Sequence, residues 1–363
     1  MNLTIVAGTR PNFVKIAPLI KSINKFKKKY KIDYRLIHTG QHYDEKMSLS
    51  FFKQLDIPKP NVNLNVGSGT QAEQTAAIMV NFEKEIVANL PDYVIVVGDV
   101  NSTMACSVVT KKLKLKLIHI EAGIRSWDLD MPEEINRLIT DSITDLFFTT
   151  SEEANKNLLN SGISKNKIFY VGNIMIDTLY NNINRTIRPQ FLYDYNINDC
   201  DYFVLTMHRP SNVDDINVLK GLIDVIDENT ANYKIIFPVH PRTNLNLSKL
   251  NLSSKFCLVD PLSYLEFSYL IKNSKAIITD SGGITEEATV FNVPCITLRS
   301  NTERPETVSI GTNELAGNDP KIISNLLQLI LNNRWKEGSI PHLWDGKTSD
   351  RIISHVINHF KNF

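Results

Sequence analysis

Short runs of β-branched and aromatic residues alternate with longer amphipathic stretches through almost the whole chain. Such alternation favours right-handed strand–helix–strand units, which build a parallel sheet with helices on its faces. In the first half, the predicted strands are Leu3–Ala7, Asp33–His38, Tyr93–Val97, Leu117–Glu121, Leu146–Thr149 and Ile168–Val171. In the second half they are Phe203–Thr206, Lys234–Val239, Cys257–Val259, Ala276–Thr279 and Cys295–Leu298. The pattern therefore predicts an α/β fold with parallel sheets.

Apolar residues at helical spacing predict long helices among these strands. The clearest are Gln71–Asn89, Lys321–Asn333 and Ser349–Phe360. The first has its apolar stripe at Ala72, Thr75, Ala76, Met79, Phe82, Ile86 and Val87. Parallel strands need crossover connections of this length, so the helices agree with the predicted sheets.

A change in composition separates the two series of strands. Asn181–Asp201 is rich in Asn, Asp and Tyr, which is typical of a connection between domains. The 363 residues exceed one ordinary domain core, so two domains are expected. We assign 1–180 and 181–345 to two Rossmann-like domains facing across a cleft, and 346–363 to a helix that can pack back on the first. Ligands of such sheets bind beyond the carboxyl ends of the strands.

Composition and charge exclude several classes of protein. The formal net charge is +1, so there is no global electrostatic reason to bind nucleic acid or an anionic membrane. The sequence contains no run of about 18 apolar residues, so no transmembrane helix is predicted. The first residues do not resemble a signal peptide. The four cysteines lie far apart at Cys106, Cys200, Cys257 and Cys295. They predict reduced thiols, no metal site and a cytoplasmic location.

Two turns between a predicted strand and a predicted helix carry anion-binding features. Gly8–Lys15 combines a glycine turn with the cations Arg10 and Lys15, although a plain turn with two solvated cations fits equally well. Asp280–Glu287 places Ser281, Gly282 and Gly283 at a helix start, which suits a diphosphate, with Glu287 one turn further for ribose hydroxyls. Because glycine fingerprints of dinucleotide and P-loop proteins are missing, no nicotinamide cofactor is expected.

A set of acidic residues follows apolar strands of the first domain. Asp99 and Glu121 each stand at a strand end, where neighbouring strands would bring their carboxylates close together. Glu133 and Glu134 follow Pro132, where favourable charge in the first turn of a helix is the simpler explanation. For Asp99 and Glu121 the corresponding simple explanation is helix capping.

Two pairs of His and Arg stand at strand ends of the second domain. His208–Arg209 follows its first strand, and His208 could move protons or donate to a phosphate. His240 and Arg242 follow the next strand, where a solvated surface histidine is the alternative. Arg304 lies in a polar loop after a buried strand and could pair with a phosphate or a carboxylate.

Taken in order, these motifs resemble the non-hydrolysing UDP-N-acetylglucosamine 2-epimerase family nearly end to end. The matching segments are GTRPNFVKIAPL, TGQHYD, VVGDVNSTMA, IEAGIRS, MPEEINR, VGNIMIDTL, TMHRPSN, PVH, DPLSY, ITDSGGITEEA, RSNTERPE and the closing DGKTS with Arg351. Each segment alone is weakly specific, but so many in the same order are very specific.

The resemblance implies a glycosyltransferase-B-like fold, a homodimer and C2 epimerisation of a UDP-2-acetamido sugar by elimination and re-addition of UDP, which supplies polysaccharide precursors. It implies that no metal or other cofactor takes part. The residues matching the family's proposed catalytic groups are Asp99, Glu121, Glu133 and His208. Those matching UDP or substrate contacts are Arg10, Lys15, Gln41, Arg137, His240, Ser281, Gly282, Gly283, Glu287 and Arg304.

Several positions depart from the common pattern of that family. Asn12 and Ser211 stand where many members have Glu, and Tyr43–Asp44 differs from the branch that binds a second, activating UDP-sugar. Activation by a second UDP-sugar is therefore not expected. The exact sugar stays open between UDP-GlcNAc and decorated derivatives such as diacetamido uronic acids. A UDP-sugar-dependent glycosyltransferase of the same fold, a hydrolysing epimerase and a non-catalytic sensor are the alternatives.

Overall fold

The computed structural model of the protein describes residues 1–40, 51–239 and 241–361. The chain forms two compact units. The first comprises Met1–Asn181 together with His342–Phe363, and the second comprises Asn182–Pro341. Each unit is built on its own parallel sheet.

The sheet of the first unit has strands β1 Asn2–Ala7, β2 Asp33–His38, β3 Val62–Asn63, β4 Tyr93–Val97, β5 Lys116–Ile120, β6 Leu146–Thr149 and β7 Ile168–Tyr170. Their spatial order is β3-β2-β1-β4-β5-β6-β7. The helices up to the boundary are α1 Arg10–Tyr30, α2 Gln71–Ala88, α3 Asn101–Lys112, α4 Pro132–Ile143, α5 Glu152–Asn160 and α6 Ile174–Asn182. The central strand β4 is buried along its whole length, as expected for a sheet covered on both faces.

The second unit has strands β8 Tyr202–Thr206, β9 Lys234–Pro238, β10 Phe256–Val259, β11 Ala276–Thr279, β12 Cys295–Thr297 and β13 Asn313–Leu315. Their order is β10-β9-β8-β11-β12-β13. Its helices are α7 Gln190–Asp194, α8 Pro210–Val213, α9 Ile216–Asn229, α10 Pro241–Leu247, α11 Tyr264–Lys272, α12 Gly282–Phe291, α13 Pro305–Ser309 and α14 Pro320–Leu331. The predicted architecture of two parallel α/β sheets is confirmed.

Two short strands and one helix face differ from the sequence-based expectation. Strands β3 and β13 were not predicted, because two or three residues form no recognisable β-branched run. Helix α2 lies where it was predicted, but the side chains it buries are those of Ile78, Phe82 and Ile86. Val87, at the edge of the predicted stripe, is 55% exposed. The strict i, i+4, i+8 spacing of the larger residues decides which face meets the core.

The segment after the second unit returns to the first unit as helix α15, Thr348–Lys361. The buried carboxylate of Asp177 accepts the backbone N–H groups of Thr348 and Ser349 at 3.0 and 2.7 Å. Burial raises the pKa of Asp177 against the effect of these bonds. Asp350 accepts from Ser22 of α1 at 2.8 Å. Helix α15 is therefore anchored at its start to two elements of the first unit.

Several large apolar side chains are exposed on the helices and loops of the first unit. They include Val80, Val87, Leu90, Trp127, Leu129, Ile135 and Leu138, each at least 36% accessible. Within the described ranges, no helix has the length and apolar character needed to cross a membrane.

Candidate active site

Each sheet has one point at which successive connections leave toward opposite sides. In the first unit β1 lies between β2 and β4, and in the second β8 lies between β9 and β11. Open parallel sheets bind ligands beyond the carboxyl ends of the strands at such a point. The motifs found in the sequence lie there: Gly8–Lys15 follows β1, Asp99 follows β4, His208 follows β8 and Asp280 follows β11.

The turn after β1 is fixed by the side chain of Asn12. Its Oδ1 accepts hydrogen bonds from the backbone N–H groups of Gly8 and Thr9 at 3.0 and 3.1 Å. Its Nδ2 donates to the carbonyl of Val97, at the end of β4, at 3.0 Å. An amide can do both because it carries a donor and an acceptor. Asn12 therefore joins the start of α1 to the end of the neighbouring strand.

Lys15 and Glu121 form a buried ion pair beyond β1 and β5. The Nζ and Oε2 atoms are 2.5 Å apart, and both side chains are at most 10% exposed. Glu121 has a left-handed backbone, with a φ of 67°, and so does Gly98 at 71°. A Cβ atom at Gly98 would lie 3.0 Å from the Lys15 ammonium, so glycine leaves room for this cation. The predicted strand-end carboxylate is thus held by a cation of the predicted anion-binding turn.

Asp99 is held by Arg137 of helix α4. Its Oδ2 accepts from Nε and Nη2 of Arg137 at 3.0 and 2.6 Å. Nη1 of the same guanidinium donates to Glu134 at 2.7 Å, and Glu134 also accepts from the backbone N–H of Ser126 at 2.9 Å. Glu134 is fully buried, whereas the neighbouring Glu133 is only partly buried. Successive helical residues point about 100° apart, so one of the two faces this cluster.

Asp280, at the end of β11, organises the segment after β8. Its Oδ2 accepts from the backbone N–H groups of His208 and Arg209, both at 2.9 Å, and from Asn212 Nδ2 at 3.1 Å. Nδ1 of His208 lies 2.8 Å from Asp280 Oδ1. Burial alone would raise the pKa of Asp280, but His208 and the backbone donors lower it below its usual value. The ionised carboxylate thus fixes the backbone of His208 and lies at ion-pair distance from its ring.

The start of helix α12 has the features of an anion site. Ser281 occupies the N-cap, Gly282 and Gly283 follow, and the first turn of this helix carries no acidic residue. Helix N-termini present unpaired backbone N–H groups and a positive dipole end. Nearby in the same unit, Arg304 forms an ion pair through Nε with the buried carboxylate of Glu286. The guanidinium is thereby held in a defined position.

Two further carboxylates lie buried on α12 and α13. Glu287 contacts the phenol of Tyr264, whose pKa is raised by burial and then by the Glu287 charge. Glu306 buries both carboxyl oxygens, and neither has a hydrogen-bond partner among the described residues. Burial, only partly opposed by Arg304, raises the pKa of Glu306 to about 7.

Three predicted site residues remain, and the structure describes one of them. Arg10 opens helix α1, and its guanidinium lies 4.4 Å from the ring centre of Phe51. Gln41 and His240 lie outside the described residues. The sequence-based selection missed Asp280 as a functional group, although an Asp directly after an apolar strand is the same signal that identified Asp99 and Glu121.

The two units carry complementary chemistry. The first presents two largely buried carboxylates, and each is stabilised in its charged form by a paired cation. The second presents a helix start suited to a phosphate, a fixed arginine and an oriented histidine. Carboxylates can exchange protons with a carbon acid, while helix N–H groups and guanidinium ions can stabilise a departing phosphate.

Comparisons with known proteins agree on one family. The family model described as UDP-N-acetylglucosamine 2-epimerase matches residues 24–357. The UDP-N-acetylglucosamine 2-epimerase of Methanocaldococcus jannaschii is 43% identical over 97% of this chain and 98% of its own. A UDP-2,3-diacetamido-2,3-dideoxy-D-glucuronate 2-epimerase of Pseudomonas aeruginosa is 37% identical over 87% and 88%.

A solved structure gives the same result. The crystal structure of the Methanocaldococcus jannaschii UDP-GlcNAc 2-epimerase in complex with UDP-GlcNAc and UDP is 42% identical. It matches with a TM-score of 0.88, over 99% of this chain and all of the other.

Proposed function

The chain belongs to the UDP-N-acetylglucosamine 2-epimerase family, and we propose from this premise that it interconverts UDP-GlcNAc and UDP-ManNAc. It is then an isomerase that inverts C2 of a UDP-linked 2-acetamido sugar. The observation that carries the proposal is the pair of strand-end carboxylates, Asp99 and Glu121, each held by a buried cation. A glycosyltransferase of the same fold would instead need a groove for an acceptor.

The chemistry explains why acids and an anion site are needed together. The hydrogen at C2 of an acetamido sugar is not acidic, so its removal must accompany loss of UDP from C1. The C1–O bond breaks with its electron pair going to the diphosphate, and the C2–H electrons form the C1–C2 double bond of a 2-acetamidoglycal. A proton then adds to the opposite face of C2, and UDP adds back to C1. Atoms and charge balance without an oxidant.

We assign proton transfer at C2 to the carboxylates of the first unit. Asp99 is half-buried beside Arg137, and Glu121 is buried beside Lys15. Inversion requires removal and delivery on opposite faces, which two separately held groups can perform. Glu133 is retained as a third candidate from the family pattern.

We assign UDP binding mainly to the second unit. The start of helix α12, from Ser281 to Gly283, would bind the diphosphate, with Arg304 as a positively charged partner. Glu287 would accept the ribose hydroxyls. His208, oriented by Asp280, would donate a proton or hydrogen bond to the departing phosphate. The family pattern adds Arg10, Lys15, Gln41, Arg137 and His240 as contacts of the nucleotide or sugar.

The sugar is assigned as N-acetylglucosamine because the relatives named for that substrate include the 43% identical archaeal protein. The diacetamido glucuronate epimerase, at 37% identity, makes the decorated sugar the second candidate. A homodimer in the cytoplasm is part of the proposal. The exposed apolar side chains of α2, α4 and the loop before α4 would be covered by the second copy, because removing large apolar side chains from water favours association.

Proton NMR of the protein with UDP-GlcNAc alone tests the proposal. Appearance of the UDP-ManNAc anomeric signal supports it, whereas free ManNAc would indicate a hydrolysing enzyme. If UDP-GlcNAc stays unchanged but a UDP-diacetamido glucuronate is epimerised, the sugar assignment alone is wrong. If neither reacts until an acceptor sugar is added, the chain is a transferase.

A further inference from the structure

His119, in the middle of the first unit, has a protein partner at each ring nitrogen. It lies on β5 and is completely buried. Nε2 is 2.8 Å from the carbonyl oxygen of Gly98, and Nδ1 is 2.7 Å from Oδ1 of Asp141. A carbonyl oxygen can only accept a hydrogen bond, so Nε2 must carry a proton.

The second partner is also an acceptor. Oδ2 of Asp141 accepts from the backbone N–H of Gly123 at 3.0 Å and from Arg125 Nη1 at 2.7 Å. Burial would raise the pKa of Asp141, but the bonds and charges of His119 and Arg125 hold it below its usual value. Asp141 is therefore ionised, and both of its carboxylate oxygens can only accept hydrogen bonds. Nδ1 of His119 must then carry a proton as well.

The charges around the candidate site lead to the same protonation state. The carboxylates bonded into this region are Asp99, Glu121, Glu134 and Asp141. The cations paired with them are Lys15, Arg125 and Arg137. Among these described groups, four negative charges meet three positive ones. A protonated His119 supplies the fourth, and uncompensated buried charge is costly.

We infer that His119 is a buried imidazolium that acts as a positioning residue for both strand-end carboxylates. It binds the Gly98 carbonyl, and the Gly98 N–H donates to the carbonyl of Ile120 at 3.1 Å. These two bonds join the backbone just before Asp99 to the backbone just before Glu121. The positive charge of the ring favours the ionised forms of the carboxylates around it. The catalytic part of this inference rests on the proposed function, whereas the protonation state does not.

The first test is ¹⁵N NMR of the protein labelled at its eight histidines. The His119 signals are assigned through contacts with Gly98 and Asp141. At neutral pH both ring nitrogens should show a directly bonded, slowly exchanging proton. A ring nitrogen without a proton would overturn the inference. This result needs no variant and no activity, so an inactive protein with a doubly protonated His119 would contradict the proposed function alone.

The second test separates the two bonds with a pair of variants. In His119→Gln the amide nitrogen replaces Nε2 and keeps the bond to Gly98, whereas in His119→Asn it replaces Nδ1 and keeps the bond to Asp141. Both variants lose the charge. His119→Asn should lose about 10²-fold in kcat, the effect of misplaced catalytic groups, and His119→Gln should lose less. His355→Gln is the matched control, since His355 packs at a tilt against Phe169 and contacts no carboxylate of the cluster in the described structure.

The pH profile distinguishes positioning from a purely structural role. Removing a buried positive charge favours protonated carboxylates, so the acidic limb of kcat/KM should move to higher pH in both variants and not in His355→Gln. Unchanged limbs together with unchanged kcat in both variants would remove His119 from the mechanism. If the variants do not fold, the NMR result on the unmodified protein decides the inference.

Discussion

Replacing Asp280 by Asn tests whether this carboxylate prepares His208 for catalysis. The change keeps the shape of the side chain and removes its charge. An amide oxygen in the place of Oδ2 can still accept from the backbone of His208 and Arg209 and from Asn212. The amide NH₂ group then faces His208 Nδ1, which lies 2.8 Å from the present Oδ1. Nδ1 must become an acceptor, and the proton of the ring must move to Nε2.

The magnitude follows from these contacts. Without the carboxylate a positively charged ring is no longer stabilised, so Nε2 can still donate a hydrogen bond but cannot readily deliver a proton to the departing phosphate, and turnover should fall by about 10²–10⁴-fold. Hydrogen bonds to a charged group are worth about 1 kcal/mol more than neutral ones, and the three bonds to Oδ2 become neutral. Because the folded pKa of Asp280 is depressed, the ionised form stabilises the protein above the unfolded pKa. Asp280→Asn should therefore lose about 1–3 kcal/mol of stability at neutral pH.

The assay combines epimerisation followed by NMR, UDP calorimetry and urea unfolding. UDP affinity should stay close to that of the unmodified protein, since the backbone around His208 keeps its hydrogen bonds. Asp177→Asn is the matched control: it also neutralises a buried carboxylate that accepts two backbone N–H groups, but no histidine is involved. Its turnover should not change. Near-normal turnover of Asp280→Asn, with the proton of His208 still on Nδ1, would refute the reasoning.

Four further outcomes are expected. Reaction in D₂O should place deuterium at C2 of the product and of recovered substrate, and a product without deuterium would exclude this mechanism. Truncating Asp99 or Glu121 should lower turnover by about 10²–10⁴-fold while UDP binding survives. On a Glu286→Gln background, which avoids an unpaired buried charge, Arg304→Ala should weaken UDP binding by about 1–3 kcal/mol in calorimetry, and unchanged affinity would take it out of the diphosphate site. Glu306 has a folded pKa of about 7, so its contribution to stability is present below its unfolded pKa and is lost as the pH rises to about 7. In urea unfolding, the stability of Glu306→Gln should rise by about 3 kcal/mol relative to the unmodified protein between pH 4.5 and 7. A difference that stays constant with pH would contradict this. Dialysis against EDTA should leave turnover unchanged, since the sequence has no cluster with the spacing of metal ligands; loss that a divalent ion restores would show otherwise.

The sheets were predictable because their strands are buried on both faces. Strands such as β4 and β11 are continuous apolar runs, and turn residues mark their ends. The same ends located Asp99 and Glu121, since a polar residue directly after a buried strand lies at the carboxyl edge. Short edge strands were not predictable, because few of their residues are buried and their pairing depends on the neighbouring strand.

The partners of the site residues were much less predictable. Lys15 and Glu121 are 106 positions apart, and only the folded sheet brings them together. The choice between Glu133 and Glu134 depends on the rotation of α4 about its axis, which the contacts of Glu134 with Arg137 and the backbone at Ser126 determine. Sequence patterns identify the edge on which a polar group lies, whereas tertiary contacts determine its charge partner.

The return of α15 to the first unit has a consequence for biosynthesis. During translation, Met1–Asn181 leaves the ribosome long before His342–Phe363, yet both segments belong to one compact unit. The carboxylate of Asp177 cannot receive its donors Thr348 and Ser349 until the second unit has been synthesised. The second unit, whose residues are contiguous, can therefore complete its contacts first. The first part of the chain to be made is therefore among the last to complete its native contacts.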